Sequence, residues 1–191
     1  TIKVTTGNAE DASVGNNGIS GKTGLFVKNA DLTIDAAGDA LKTTLDAADI
    51  EADPALAELG NMSIDGGKYQ LTARNGDGVS ASRTLYLNPD EMTVTAQNKA
   101  GKDLTAAGSC KAVKAGATLY ISPDSGSITA DSSQTAGNGE LTADDALYSD
   151  GYICINGGGD LTIKPGKSAL RAGKGILING HLEDTLNVED Y

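Results

Sequence analysis

The sequence predicts an all-β protein, a single-stranded right-handed parallel β-helix of about six coils with inserted loops, occupying residues 1–191 as one domain. Three observations predict it. A three-part unit recurs six times, each part has the period of two expected of a strand, and the spacing between copies is either a short constant or that constant lengthened by a polar insertion. The first apolar position of each copy is Ile19, Leu41, Val79, Val113, Leu147 and Leu170, always preceded by Gly or Ala. These starts lie 22, 38, 34, 34 and 23 residues apart. The bare coil is therefore the short interval, and the others carry loops.

The second part of each unit is an apolar-x-apolar triplet: Leu25–Val27, Met62–Ile64, Leu85–Leu87, Leu119–Ile121, Ile153–Ile155 and Ile176–Ile178. The third is Leu32–Ile34, Tyr69–Leu71, Met92–Val94, Gly126–Ile128, Leu161–Ile163 and Leu186–Val188. Segments this short, joined by Gly, Asn, Asp and Pro, cannot pair as hairpins within one copy. Stacking each copy on the last pairs equivalent strands in parallel, about 4.8 Å apart, and columns of Leu, Ile and Val fill the interior.

Residues 1–16 contain one alternating segment, Ile2-Lys3-Val4, expected to add a third-part strand to an incomplete first coil and to cap the interior. At the other end Leu186–Val188 has no successor, so the expectation is that either the parent protein continues beyond this fragment or a protein partner covers the C-terminal edge. Insertions are assigned to 44–60, 97–110 and 131–144, and in repeat proteins such loops mark the working face. In the first, Asp53 can cap, Pro54 suits a first helical position and Gly60 stops the run, predicting a short helix over 54–59.

A net charge of −11, from 15 basic and 26 acidic side chains, excludes nucleic acid and anionic membranes as natural partners. No stretch is long or apolar enough to insert into a bilayer. Cys110, in a turn, and Cys154, in the outward middle of a triplet, are expected as free thiols.

Three outward columns could carry chemistry. Before the small residue stand Asn17, Asp39, Asp77, Lys111, Asp145 and Ser168. Carboxylates one coil apart repel unless a cation lies between them, so Asp39, Asp77 and Asp145 are candidate Ca²⁺ ligands; the alternative is that Asp serves the turn itself. Asp144-Asp145 with Asp131 and Glu140 forms a second acidic cluster. After the first apolar position stand Ser20, Lys42, Ser80, Lys114, Tyr148 and Arg171, of which Lys114, Tyr148 and Arg171 are candidate ligand-binding residues for an acidic polysaccharide. The middles of the second part are Phe26, Ser63, Tyr86, Tyr120, Cys154 and Leu177, a stripe on which sugar rings could lie; Tyr120 is the candidate sugar platform, and for Phe26 and Tyr86 the alternative is coverage by the 44–60 insertion. The single histidine, His181, has no partner that the repeat implies.

The strings Gly38–Thr43, Gly60–Ala73 and Gly76–Ala81 resemble those of the carbohydrate-binding β-helix proteins of clostridia and other gut or plant-degrading bacteria, long regarded as a domain of unknown function. The match is close over 38–96 and looser elsewhere. The resemblance implies a pectate-lyase-like right-handed β-helix, a secreted or cell-surface location, bound calcium, and binding to uronic-acid-containing or cellulosic polymers without established catalysis. Asp39 and Asp77 match its motif, whereas Lys111 and Ser168 depart from it. The alternatives are a calcium-dependent lyase with Lys111 or Lys114 as base, and a structural or adhesin-like surface domain.

Overall fold

The computed structural model describes residues 1–7, 16–101, 103–104, 109–138, 143–178 and 186–188. Along the chain, β1 (Ile2–Thr5) precedes a first full repeat of β2 (Ile19–Gly21) and the long β3 (Gly24–Ala36). The second repeat contains β4 (Leu41–Thr43), α1 (Ala47–Ala52), a 3₁₀ turn (Pro54–Glu58) and β5 (Asn61–Ala73). The third has β6 (Val79–Ala81), β7 (Leu85–Asn88) and β8 (Glu91–Ala96), and the fourth has β9 (Val113–Ala115), β10 (Thr118–Ile121) and β11 (Ser127–Asp131). After a 3₁₀ turn at Ser133–Asn138 come β12 (Leu147–Ser149), β13 (Tyr152–Ile155) and β14 (Asp160–Lys164), then β15 (Leu170–Ala172), β16 (Gly175–Ile178) and β17 (Leu186–Val188).

The protein is all-β in its core, and among the described residues every strand pair is parallel. Two sheets result. The first strands of the repeats make a six-stranded sheet in the order β15-β12-β9-β6-β4-β2. All the others join one eleven-stranded sheet, because β3 and β5 run unbroken through both later parts of their repeats. Asn29, at φ 49°, and Gly66 and Gly67, at φ 61° and 79°, bend these two strands at the junction. A Cβ on Gly67 would sit 2.3 Å from the Ala30 carbonyl oxygen, so the bend requires glycine.

The register is that of stacked equivalents. Leu25 pairs with Met62, Met62 with Leu85, Leu85 with Leu119, Leu119 with Ile153 and Ile153 with Ile176. The inward columns close into a single apolar core that includes Ile34, Leu41, Met62, Leu71, Leu85, Leu119, Ile128 and Leu147. Full burial of each such aliphatic stabilises by about 1.5–3 kcal/mol. β1 pairs Ile2 with Leu32 and Val4 with Ile34, the position expected of the incomplete first coil.

Three expectations need correction. The fourth copy's last triplet is Ile128–Ala130, not Gly126–Ile128, since Ile128 pairs with both Met92 and Leu161. Ala130 is the inward third residue, and its single methyl made it easy to pass over. The first insertion also holds α1, whose capping box joins Asp46 and Asp49, ahead of the Pro54–Glu58 turn. Finally, Phe26 and Tyr86 are exposed rather than covered by that insertion. It is pinned to the corner turns instead: Gly60 N–H donates to the Thr23 carbonyl (2.7 Å), Thr43 Oγ1 donates to the Gly60 carbonyl (2.9 Å), and Lys22 pairs with Asp49.

Candidate functional site

The outer face of the six-stranded sheet carries the two charged columns together. Insertion 44–60 leaves the sheet's strands at one end, and insertions 97–110 and 131–144 enter them at the other. Between the first two of these loops lies an open groove of about 700 Å³, lined by Asp39, Lys42, Asp77 and Lys114 along the sheet, by Thr44–Asp46 and Ser109 from the loops, and by Asp150. Asp39, Asp77 and Lys114, singled out in the sequence, are thus brought into one groove. Tyr148, Arg171 and Asp145 continue the same face along β12 and β15.

The acidic column is a hydrogen-bonded ladder between coils. Asn17 Oδ1 accepts the Asp39 N–H at 3.1 Å, Asp39 Oδ1 accepts the Asp77 N–H at 2.6 Å, and Asp77 Oδ1 accepts the Lys111 N–H at 2.8 Å. The turn preceding each first strand otherwise leaves that N–H unpaired in a buried place. Lys111 cannot extend the ladder. There Asp144 takes over, accepting the Cys110 and Asp145 N–H groups at 2.9 and 2.8 Å and pairing with the Lys111 ammonium at 2.8 Å. Asp144 is the residue whose importance the repeat alone did not reveal. The Asp144-Asp145 doublet was its only signal, because Asp144 sits one place outside the aligned column.

Each carboxylate also has a cation above it. Lys42 Nζ lies 2.5 Å from Asp39 Oδ2, Lys114 Nζ 3.6 Å from Asp77 Oδ2, and Arg171 Nε 2.6 Å from Asp145 Oδ2. The carboxylates are the buried layer, with side chains 9, 4 and 0% exposed, against 36, 32 and 51% for their cations. Along the strand row the cations are therefore the outer layer, while the exposed Asp46 and Asp150 stand in the same groove's lining. Burial, and then the charge of Asp77, push the Asp39 carboxyl above its ordinary value, with Lys42 pulling against them. Burial works against the Lys42 ammonium, but the charge and hydrogen bond of Asp39 outweigh it and hold that group above its ordinary value.

Tyr148 is clasped by cations. Arg171 Cζ lies 4.7 Å and Lys111 Nζ 5.0 Å from its ring centre, and its hydroxyl donates to Asp150 at 2.5 Å. That bond is the main reason its phenol titrates above its ordinary value, burial adding to it. Asp145 Oδ1 is buried with no hydrogen-bond partner among the described residues.

Tyr120 belongs to the other sheet, away from this groove. Its ring stacks on Tyr86, with centroids 4.8 Å apart and planes 3° from parallel, as strand pairing of β7 with β10 dictates. The two tyrosines thus share one pair of faces, and outward they offer ring edges and phenols. Phe26 and Leu177 lie further along the same exposed column.

Calcium takes about six to eight oxygen ligands. Here the inner oxygens of Asp39 and Asp77 accept backbone N–H groups, and the outer ones face ammonium groups. Among the described residues no group of three or more His, Cys, Asp or Glu side chains converges. As arranged, these residues do not fit the ion. Asp131 turns to Ser133, whose N–H donates to it at 2.9 Å, and does not join Asp144; Glu140 and His181 lie outside the described residues. Lys111, considered above as a base, is bound by Asp144 and by Ser109 Oγ at 3.0 Å. Cys110 is buried, Cys154 half-buried, and both are free thiols. No described helix is long and apolar enough to cross a membrane.

A family model described as carbohydrate-binding domain-containing protein matches residues 1–169. No curated protein matches the chain, nor does any solved structure.

Proposed function

The chain belongs to the carbohydrate-binding domain-containing protein family, and we propose from that premise that it binds an acidic polysaccharide lying along the outer face of the six-stranded sheet. The observation that carries this reading is the layering of charge, cations outermost on carboxylates that are 9% exposed or less. Ammonium and guanidinium groups held from beneath by one carboxylate keep further N–H donors for a ligand's carboxylates and hydroxyls. Lys42, Lys114 and Arg171 are the proposed ion-pairing residues, with Tyr148 the apolar surface between the last two.

The setting in which this reading makes sense is a secreted or cell-surface protein, with uronic-acid-containing polymers as partners. The architecture that suits it is a single right-handed β-helix, supported by the stacked register of equivalent strands. A partner chain adding to the β15–β17 edge would suit an adhesin-like role. Calcium bridging between Asp39, Asp77 or Asp145 and a uronate remains a proposal of the family resemblance. Direct pairing is preferred here because Lys42 and Lys114 already occupy the outer carboxylate oxygens. Tyr120 would supply a phenol and ring edge to a second, weaker contact.

The test is affinity electrophoresis through gels containing polygalacturonate, its carboxyl-reduced neutral form, or no polymer, each with chelator and with added Ca²⁺. The expected result is retardation by the acidic polymer alone, insensitive to chelator and abolished in Lys42→Ala/Lys114→Ala. Retardation that appears only with Ca²⁺ would restore the bridging reading. No retardation by either polymer would remove polysaccharide binding at this groove.

A further inference from the structure

We infer that this face reads charge at a period of two coils, and so selects an extended polysaccharide that turns one carboxylate toward the protein at every second sugar. The inference rests on the proposed groove and specifies its ligand. The six outward residues of the sheet stand in unbroken register: Ser20 pairs with Lys42, Lys42 with Ser80, Ser80 with Lys114, Lys114 with Tyr148 and Tyr148 with Arg171. Read along the stack, a hydroxyl and a cation alternate without exception through all six repeats.

Neighbouring strands are about 4.8 Å apart, so the cations recur roughly every 9.6 Å along a line. Every cation in the row is braced by a buried carboxylate, and the bracing does not follow the repeat. Asp39 serves the lysine of its own coil, three residues on, whereas Asp77 and Asp145 serve the cation one coil further along. Different sequence offsets therefore converge on the same alternating pattern. Lys111, which stands in the neighbouring column beside Tyr148, is drawn into the buried layer by Asp144.

A ligand that meets this row has to be linear, lie parallel to the stacking direction, and present negative charge at about the same interval as the cations. An alternating uronate–neutral hexosamine chain does so. The Ser20 and Tyr148 hydroxyls then fall opposite neutral sugars, Tyr148 as an acceptor because its O–H donates to Asp150, and Ser80, 8% exposed, leaves an uncharged gap between Lys42 and Lys114. A chain charged at every ring on the same side would place half its carboxylates opposite hydroxyls and gain nothing from them.

The experiment shifts the period without changing the charge. In Ser80→Lys/Lys114→Ser the cation moves one coil, and a lysine at position 80 stands three residues after Asp77, the offset at which Lys42 pairs with Asp39. Binding of the wild type and this variant to an alternating glucuronate–N-acetylglucosamine polymer, to its carboxyl-reduced form and to a uniform polyuronate is measured by calorimetry, with thermal unfolding as the control for folding. The inference expects the wild type to bind the alternating polymer, to lose it on carboxyl reduction, and to bind about tenfold more weakly after the swap, one charge-assisted contact being lost. Equal affinity of variant and wild type overturns the two-coil period while leaving acidic-polysaccharide binding in place. Binding of none of the polymers removes the groove reading itself, and the period with it. Should the swap unfold the protein, Ser20→Lys/Lys42→Ser at the exposed end of the row makes the same displacement and is judged by the same criteria.

Discussion

Asp39 Oδ1 accepts the backbone N–H of Asp77 at 2.6 Å, joining two aspartates that occupy the same place in successive repeats. The same relationship joins Asn17 to Asp39 and Asp77 to Lys111. What the ladder needs is a side-chain oxygen at Oδ1; charge is needed only at Oδ2, where Lys42 meets Asp39.

That separation predicts opposite outcomes for two substitutions. Asp39→Asn keeps the acceptor, as Asn17 already does one coil earlier, and should cost less than about 1 kcal/mol. Asp39→Ala leaves the buried Asp77 N–H without a partner and should cost about 1–3 kcal/mol. Urea unfolding of both variants measures the difference. Equal losses would mean that the ion pair, not the ladder, holds the turn.

The raised Asp39 carboxyl gives a pH signature of unusual sign. Its folded value lies above the ordinary 3.8, so ionisation at neutral pH costs folding energy. As the pH falls from the raised value toward 3.8, the folded state alone holds the proton, and stability from this group increases. Unfolding free energies of wild type and Asp39→Asn, measured between about pH 7 and pH 4, should therefore diverge in favour of the wild type as acid is added. A difference that stays flat or reverses would show that Lys42 fully compensates the buried charge.

Gly78 is a second place where equivalent positions are not interchangeable. Its counterparts Ala40, Ala112 and Ala146 are fully buried methyls of the core. A Cβ on Gly78 would lie 2.1 Å from Val94 Cγ1 and 2.6 Å from the Ala112 carbonyl oxygen. Gly78→Ala should accordingly destabilise by about 1–3 kcal/mol through overpacking, read as a lowered urea midpoint with an unchanged slope. A neutral result would mean that Val94 finds another rotamer.

Tyr86 and Tyr120 should be energetically coupled through their stacked rings. A double-mutant cycle of Tyr86→Ala and Tyr120→Ala is expected to give a coupling of about 0.5–1.5 kcal/mol in unfolding free energy. Additive losses would show that the two rings stack in register without holding one another.

The repeat was legible in the sequence because its signal is local. Ile19, Leu41, Val79, Val113, Leu147 and Leu170 mark their strands by a small residue before and an apolar alternation after, and parallel stacking of equivalents then fixes who pairs with whom. Hence the first two columns, the cap strand Ile2–Val4 and the membership of Lys114, Tyr148 and Arg171 in one outward row could be read in advance, whereas the third column slipped by two residues in the fourth copy, where Ala130 gives too weak an apolar signal. What could not be read is how neighbouring columns touch. The pairing of Lys114 with Asp77 one coil back, of Arg171 with Asp145, and the inward draw of Lys111 by Asp144 depend on side-chain reach across strands, which sequence spacing does not encode. The exposure of Phe26 and Tyr86 likewise depended on where the 44–60 insertion is anchored, and that was decided by long-range bonds of Gly60 and Thr43. Sequence alone determined the stack and its columns; only the tertiary structure decided that the carboxylates form the buried layer and the cations the outer one. Buried backbone N–H groups need an acceptor, and an ammonium on a long stem can reach solvent where a short carboxylate cannot.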